Sequence, residues 1–260
     1  MSGGVRSEVR GGVATLTLDE PDNRNALSES LVNGLGDGLA RACADESVRV
    51  IVLTNTGSTF CAGADLRGGG GAPRWSPTEI YQLILDAPKP VVGRIAGHCL
   101  GGGVGLAAAC DISVVSAEAR FGFSEVRLGV APAIISVIVL PKLGRAVAAE
   151  LMLTGRRIGG AEAASTGLVN RAVPMDQLDA EVAGLLAELL AGGPQAQMQI
   201  KTLIRRVPQL ERDAAFAEMT VLSRQMFGSA EAAEGVAAFR DRRPAAWAAE
   251  GENRAARVHA

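Results

Sequence analysis

Two segments of the sequence share one plan, in which a buried strand leads into a turn of small residues. The first reads VRVIVLTNTGSTFCAGAD and the second reads KPVVGRIAGHCLGGGVG. A short apolar run bounded by glycines and polar residues is typical of a buried strand. If the two turns lie side by side, they aim two backbone N–H groups at one oxygen. The repeated plan therefore predicts an oxyanion hole, in which fixed donors stabilise charge that develops on a carbonyl.

The second turn ends in three glycines, Gly101, Gly102 and Gly103, just before an alanine-rich run that predicts a helix. Glycine lowers helix stability by about 1 kcal/mol relative to alanine, so three in a row are costly unless backbone must approach a ligand closely. The start of a helix presents unpaired N–H groups and favours an anion. A nucleotide is not indicated, because Leu106 stands where G-x-G-x-x-G needs its last glycine and G-K-[ST] is absent. A tight strand-to-helix turn without a ligand is the alternative for this stretch taken alone.

The composition is that of a globular protein with a sizeable core. Of the 260 residues, 48% are hydrophobic and 21% charged, and the formal net charge is −2. This balance, with 3% aromatic residues, argues against a nucleic-acid partner. There is no C-x-x-C pair among the four cysteines and only two histidines, so no metal is expected. No apolar segment is typical of a secretory signal or a membrane span, and we expect a cytoplasmic protein without a membrane partner.

Hydrophobic periodicity predicts an α/β chain with a helical C-terminal third. Strands are expected at residues 5–10, 13–18, 48–55, 89–97 and 111–116. Helices are expected at residues 28–44, 77–86, 134–142, 145–153 and 176–191, followed by a helical tail over residues 195–240. Residues 56–60 are predicted to form a polar turn, and residues 68–72 a mobile glycine-rich loop. The GGP at residues 192–194 predicts a division into a core, 1–192, and a helical region, 193–260.

Several ordered motifs resemble the crotonase superfamily, the enoyl-CoA hydratase/isomerase group. They are FCAGADL, AGHCLGGGVGLAAACDI and RFGFSEVRLGVAP, and the resemblance extends from NRNAL through LTGRRIGGAEAASTGLVN to EGVAAFRDRRPAAW. The resemblance implies an α/β fold, the crotonase (ClpP-like) spiral of ββα turns, whose C-terminal helices build a homotrimer or a hexamer made of two trimers. It also implies an acyl-CoA thioester substrate and no separate cofactor, since coenzyme A is part of the substrate.

The same resemblance implies the site residues. The backbone N–H groups of Ala64 and Gly102 would hold the thioester oxygen while a transient enolate carries negative charge. Glu125 in FGFSEV matches the general acid/base of many members, and its apolar neighbours are expected to raise its pKa by desolvation. The further substrate-binding residues implied are Arg24, Ala26, Ala62, Asp65, Leu66 and Arg67. The two arginines would face the phosphates of coenzyme A, and their alternative is a solvated surface position.

Five other residues near the motifs have simpler explanations. Asp65 is expected to hold its loop through its side chain, and Asp111 is expected to be structural. His98 adjoins the glycine run and is a weaker candidate for substrate contact. Cys61 and Cys99 flank the two turns, where their small size is a sufficient reason for them.

Gly105 departs from the two-carboxylate hydratases, which carry a second glutamate at this position. A single carboxylate suits proton transfer between C2 and C4, as in a Δ3-Δ2-enoyl-CoA isomerase. The stretches GGGVGL and EVRLGVAPAIIS also resemble a subgroup that hydrates 3-methylglutaconyl-CoA and γ-carboxygeranoyl-CoA. We expect the room freed at Gly105 to take the extra carboxylate of such a substrate. The resulting prediction is a 2-enoyl-CoA hydratase acting on 3-methylglutaconyl-CoA, with the isomerase as the alternative.

A protein that binds coenzyme A or RNA with little catalysis is a third class to consider. RNA binding in this subgroup would need a basic helix. The helix expected from Ser28 carries Arg41 against Glu29 and Asp37, which argues against nucleic-acid binding.

Overall fold

The computed structural model describes residues 4–67, 71 and 73–248, and its strands there form two sheets. The larger sheet has the order β1-β2-β3-β5-β7-β10, with β1 Val5–Arg10, β2 Val13–Leu18, β3 Val50–Asn55, β5 Val91–Ile95, β7 Ile112–Ser116 and β10 Arg171–Val173. The smaller sheet has the order β4-β6-β8-β9, with β4 Thr59–Cys61, β6 His98–Leu100, β8 Arg120–Gly122 and β9 Arg157–Gly159. The β1–β2 hairpin is antiparallel, and β2, β3, β5, β7 and β10 run parallel.

Helices cover both faces of the larger sheet. Their bounds are α1 Glu29–Ala44, α2 Pro77–Asp86, α3 Gly102–Ala109, α4 Ala133–Val139, α5 Arg145–Thr154, α6 Gly160–Ser165, α7 Leu178–Ala191, α8 Pro194–Arg206, α9 Arg212–Phe227 and α10 Ala230–Asp241. Strand β3 is buried along its whole length. Its Ile51 and Leu53 belong to the main core, whereas Val50 and Val52 pack in a second cluster with residues of α7. A strand that is covered on both faces has apolar residues at successive positions. This is why apolar and polar residues do not alternate in VIVLTN.

The chain repeatedly places one strand in each sheet. Strand β3 is followed by β4, β5 by β6 and β7 by β8, and the first member of each pair always joins the larger sheet. Helix α2 follows the first pair and α3 follows the second. This arrangement confirms the predicted α/β spiral of ββα turns. It also makes β4 and β6 parallel neighbours, with Cys61 opposite Cys99, so the turns that follow them meet.

Helix starts follow local capping signals. The Ser28 side chain accepts the N–H of Leu31 at 3.1 Å and starts α1. Ser76 and Glu79 form a capping box at the start of α2, which satisfies two backbone donors that no helical partner can reach. The leucines of α1 that recur every fourth residue are buried, as the predicted helix over 28–44 requires.

The sequence-based elements differ from the structure mainly where strands are short. The predicted polar turn at 56–60 is wrong in part, since Thr59–Cys61 forms β4. The predicted strand over 89–97 is too long, because only Val91–Ile95 is a strand, and a separate strand, β6, begins just after the predicted range at His98. Strands of three residues carry too few positions to show a period, so β4, β6, β8, β9 and β10 escaped prediction. In the predicted loop 68–72, residues 68–70 and 72 lie outside the described residues.

The predicted boundary falls at a change of direction between two helices. Gly192 ends α7, and Gly193 caps the start of α8. The division into 1–192 and 193–260 stays a prediction, and residues 249–260 lie outside the described range. In the part of the chain that the structure describes, no helix has the length and apolar character needed to cross a bilayer. The cytoplasmic location also stays a prediction.

A buried lysine on α8 connects the C-terminal helices to the core by hydrogen bonds. The Lys201 side chain on α8 is 7% exposed, and its Nζ lies 2.6 Å from Asp111 Oδ2. Nζ also donates to the carbonyl oxygens of Ile84 at 3.3 Å and Lys89 at 3.1 Å. Asp111 in turn accepts the backbone N–H of Val91 at 2.7 Å. These contacts support the structural role predicted for Asp111.

Candidate active site

A cavity of about 530 Å³ opens where β4 and β6 end. Its walls come from residues 62–66 after β4, from the glycine pair Gly101 and Gly102 after β6, and from residues 124–135 after β8. Most of the side chains that line it are apolar. Among the described residues, the charged side chains in its wall are those of Asp65 and Glu125, and no lysine or arginine lines it.

The first turn is fixed by backbone hydrogen bonds to the segment before α1. Gly63 adopts a φ of +87°, which glycine reaches without the clash of a Cβ atom. Its carbonyl accepts the N–H of Leu27 at 2.8 Å, and the N–H of Ala62 donates to the carbonyl of Arg24 at 3.1 Å. Ala64 forms an isolated bridge with Leu27 and lines the cavity. The backbone at Ala64 is therefore held rigidly at the cavity wall.

The second turn brings the start of α3 against the first turn. Gly101 has a φ of +51° and a ψ of −121°, and Gly102 is the first residue of the helix. The N–H of a first helical residue has no partner within its helix. A Cβ atom placed on Gly63 would lie 3.0 Å from the nitrogen of Gly102, so the two turns are in direct contact. Among the hydrogen bonds of the described chain, none takes up the N–H of Ala64 or Gly102. Two such donors at one wall suit an oxygen that gains negative charge.

The carboxyl group of Glu125 lies beside the glycine pair in the cavity wall. Glu125 lies on the short 3₁₀ helix Ser124–Leu128, and a Cβ atom on Gly101 would be 3.1 Å from its Oε1. Its Oε2 is buried and has no hydrogen-bond partner among the described residues. Burial disfavours the charged form and raises the pKa of Glu125 above the ordinary glutamate value. A carboxylate without a partner and with a raised pKa is suited to accept and return a proton.

The position of Gly105 is filled by two neighbouring side chains. A Cβ atom there would lie 2.5 Å from Cγ2 of Ile135 and 3.1 Å from the ring of Tyr81. The inference that Gly105 frees room for a substrate carboxylate is therefore wrong. Ile135 follows Gly105 by thirty residues, so no local pattern indicates that its side chain fills this space.

Most of the predicted substrate-binding residues come together at the cavity. Its wall contains Ala62, Ala64, Asp65, Leu66 and Gly102. Ala26 is 5% exposed and lies outside the wall, which has Leu27 in its place.

The two predicted arginines lie beside the short turn Pro21–Asn23 and not in the cavity wall. Arg24 directly follows that turn and is exposed. Arg67 is exposed as well, and its Nη2 donates to the carbonyl of Asp22 at 3.2 Å. The two side chains are therefore available together at one end of the first turn.

The remaining predicted residues have structural partners. Asp65 accepts the N–H of Arg67 at 3.0 Å and the side-chain amide of Asn23 at 3.3 Å, which supports its predicted loop-holding role. His98 lies outside the cavity wall, and its Nδ1 accepts the N–H of Arg120 at 3.1 Å. Cys61 and Cys99 are fully buried, and burial raises the pKa of both thiols. Their place is in the core, where small size is required.

Sequence reasoning missed Tyr81 of α2, whose ring lines the cavity. Its hydroxyl donates to the carbonyl of Gly102 at 3.0 Å. Tyr81 precedes the glycine run by twenty residues, and its apolar neighbours indicate only the buried face of a helix. Within the residues that the structure describes, no group of three or more His, Cys, Asp or Glu side chains is placed to hold a metal ion.

Comparisons with known proteins agree with this architecture. The sequence model of a family described as "Enoyl-CoA hydratase/isomerase" matches residues 8–250. A putative enoyl-CoA hydratase of Thermus thermophilus is 34% identical over 245 residues, which cover 90% of this chain and 97% of that protein. A hydroxycinnamoyl-CoA hydratase-lyase of Pseudomonas fluorescens is 31% identical over 219 residues, or 79% of each chain. The crystal structure of an enoyl-CoA hydratase of Mycobacterium smegmatis has a TM-score of 0.87 at 31% identity, covering 94% of this chain and 98% of that one.

Proposed function

This chain belongs to the enoyl-CoA hydratase/isomerase family, the crotonase superfamily, and we propose that it adds water across the double bond of a 2-enoyl-CoA thioester. The observation that supports this most strongly is the buried Oε2 of Glu125, which has no partner among the described residues. The carboxylate faces a glycine pair at the start of a helix, where a backbone N–H has no acceptor. A proton acceptor and a donor for an oxyanion thus lie in the wall of one cavity.

In the proposed mechanism, the N–H groups of Ala64 and Gly102 bind the thioester oxygen. Glu125 takes a proton from water while the water oxygen forms a bond to C3. The electron pair of the double bond moves toward the thioester, and the two donors stabilise the resulting enolate. Glu125, now protonated, delivers its proton to C2 and returns to the carboxylate form. The products balance as one added water, and no separate cofactor takes part.

The coenzyme A part of the substrate is proposed to leave the cavity along the first turn. Ala62, Asp65 and Leu66 would contact the coenzyme A chain, and the buried Ala26 would pack behind the first turn. The exposed Arg24 and Arg67 would then face its phosphates, since both lie beside the short turn Pro21–Asn23.

The acyl group is proposed to be uncharged. Residues 128–135 contribute an apolar wall, and the charged side chains of the cavity are both acidic. A substrate carboxylate beside Asp65 and Glu125 would meet like charge and no cation, which is unfavourable. Because the space at Gly105 is already filled, the structural argument for 3-methylglutaconyl-CoA is lost.

An acyl-CoA panel tests the reaction and the acyl group together. We expect kcat/KM for crotonyl-CoA or 2-octenoyl-CoA to exceed that for 3-methylglutaconyl-CoA by at least about tenfold, which corresponds to about 1.4 kcal/mol of transition-state binding. The rate of hydration is measured from the decrease in absorbance of the enoyl thioester. Faster turnover of the branched acid would contradict the uncharged acyl group while leaving the hydratase proposal intact.

The isomerase alternative has one observation in its favour. Glu125 is the single carboxylate that faces the glycine pair among the described residues, since Asp65 is bonded within its own loop. One carboxylate is sufficient to move a proton between C4 and C2. In the same panel, turnover of a 3-enoyl-CoA without hydration of any 2-enoyl-CoA would favour the isomerase over the hydratase.

We also propose that the chain forms a homotrimer, or a hexamer of two trimers. The helices after Gly193 expose large apolar side chains in the single chain: Phe216 is 69% exposed, Phe227 80% and Phe239 85%. Apolar patches of this kind mark surfaces that a partner covers. Light scattering at micromolar concentration should give three or six times the chain mass. A monomer mass at that concentration would contradict the proposal.

A further inference from the structure

The hydroxyl of Tyr81 lies directly beside the glycine pair of the candidate active site. The side chain is 4% exposed, and its hydroxyl donates to the carbonyl of Gly102 at 3.0 Å. A Cβ atom on Gly102 would lie 3.1 Å from the same oxygen. The phenol thus contacts the very residue whose N–H is proposed to bind the substrate oxygen.

A run of glycines needs outside contacts to hold a donor in place. Glycine has the largest conformational freedom of all residues, and an oxyanion donor is effective only when it is fixed before the reaction. The N–H of Gly101 donates to the carbonyl of Gly122 at 3.0 Å, which fixes the start of the run. Among the described side chains, Tyr81 is the one that hydrogen-bonds to the backbone of residues 101–103.

The absence of a side chain at Gly105 is what admits the Tyr81 ring. A Cβ atom on Gly105 would lie 3.1 Å from two ring carbons, so any larger residue would push the ring away. The segment just before α2, the helix that carries Tyr81, is bonded to α1, because Trp75 Nε1 donates to Asp37 Oδ1 at 3.0 Å. Burial also raises the pKa of Tyr81 well above its ordinary value, so the hydroxyl keeps its proton and acts as a permanent donor.

We propose that Tyr81 is a positioning residue, which clamps the Gly102 carbonyl and so keeps the Gly102 N–H aimed at the thioester oxygen. The proposal rests on the proposed acyl-CoA function of the cavity, but not on hydration being the reaction. It also explains the glycine at residue 105, because the missing side chain leaves room for the Tyr81 ring, whose hydroxyl then reaches Gly102 at the start of α3.

The test compares Tyr81→Phe with a matched loss of a hydroxyl at the other end of α3. Ser113 is 1% exposed, and its hydroxyl donates to the carbonyl of Ala107 at 2.6 Å. Ser113→Ala therefore also removes a hydroxyl that bonds to an α3 carbonyl, but one far from the glycine pair. The readouts are kcat, KM and the infrared stretch of a ¹³C-labelled thioester carbonyl in bound butyryl-CoA, which cannot be hydrated.

We expect Tyr81→Phe to lower kcat by about tenfold, a part of the hundredfold or more that follows loss of a whole oxyanion donor. KM should stay within about twofold, and the shift of the carbonyl stretch to lower frequency on binding should shrink. Ser113→Ala should lower the thermal midpoint and leave kcat and the stretch as in the wild type. Equal losses in the two variants, or an unchanged stretch in Tyr81→Phe, would overturn the proposal.

A second variant covers the case in which Tyr81→Phe does not fold. The sequence has a single tyrosine, so growth on 3,5-difluorotyrosine changes Tyr81 alone. The fluorinated phenol is a stronger donor, and the bound carbonyl stretch should move further to lower frequency. A stretch equal to that of the wild type would count against the clamp. If the wild type shifts the stretch but hydrates no enoyl-CoA, the hydratase proposal fails while the role of Tyr81 stays testable.

Discussion

Replacing Glu125 with glutamine is expected to lower kcat by about a thousandfold, within the range that general acid–base catalysis supplies. Glutamine keeps the size of the side chain but cannot take a proton from water or return one to C2. The Kd for a non-reacting acyl-CoA should change little, because the Ala64 and Gly102 donors and the apolar wall are unaltered. Single-turnover hydration and a binding titration measure the two effects separately.

Glu118→Gln is the matched control for this variant. Glu118 is exposed, lies outside the cavity wall and bonds to the Ser116 hydroxyl. Its substitution removes one carboxylate seven residues before Glu125 and should leave kcat as in the wild type. A Glu125→Gln protein that keeps more than about a tenth of the wild-type kcat would show that another group carries the proton.

The pH dependence of kcat/KM follows from the raised pKa of Glu125 in the free protein. Water is activated by the carboxylate form, which is populated only above that pKa. We therefore expect kcat/KM to rise with pH through an acid limb placed above the ordinary glutamate range. The limb should disappear from the residual activity of Glu125→Gln. A limb at the ordinary glutamate pKa would mean that desolvation does not act on this carboxyl group.

Replacing Gly102 with valine is expected to lower kcat by at least about a hundredfold, as for loss of one oxyanion donor. Its Cβ atom would lie 2.7 Å from Cδ1 of Leu27 and 3.1 Å from the hydroxyl of Tyr81. The leucine methyl can move aside, so the protein should still fold. The new methyl groups then stand where the thioester must approach the Ala64 and Gly102 donors.

Gly184→Val provides the control for glycine replacement in a helix. Gly184 lies on α7, and a Cβ atom there would meet no atom within 4 Å. This variant should fold and keep wild-type kinetics. Wild-type kcat and KM in a correctly folded Gly102→Val protein would remove the proposed oxyanion hole from this position.

The meeting of the two turns was predictable because the same plan occurs twice in the sequence. Two apolar strands of similar length became neighbours in one sheet, and the turns after β4 and β6 came into contact as expected. The partial burial of the Glu125 carboxyl group was predictable for a similar reason, since the buried Phe121 and Phe123 are its neighbours in sequence. Both features depend on residues that are close together in the sequence, so local patterns are sufficient to predict them.

The surroundings of Gly105 were not predictable from local patterns. Tyr81 on α2 and Ile135 on α4 both contact this position, and each is more than twenty residues from Gly105 in the sequence. The sequence shows only that residue 105 has no side chain. In the folded chain, close packing fills the space beside Gly105 with side chains from other helices. The same reason explains why the hydroxyl of Tyr81 gave no sign of its contact with Gly102.

The spiral path has a consequence for how one scaffold can serve several reactions. The turns that follow β4 and β6 supply the paired amides, whereas Glu125 and the apolar wall come from the connection after β8. The proposed charge stabilisation and the proposed proton chemistry therefore reside on separate stretches of chain. Residues 124–135 can change in sequence without disturbing the backbone bonds that fix Gly63 or Gly101. We expect that replacing residues 124–135 changes the selectivity for the acyl group and leaves the backbone amides after β4 and β6 in place.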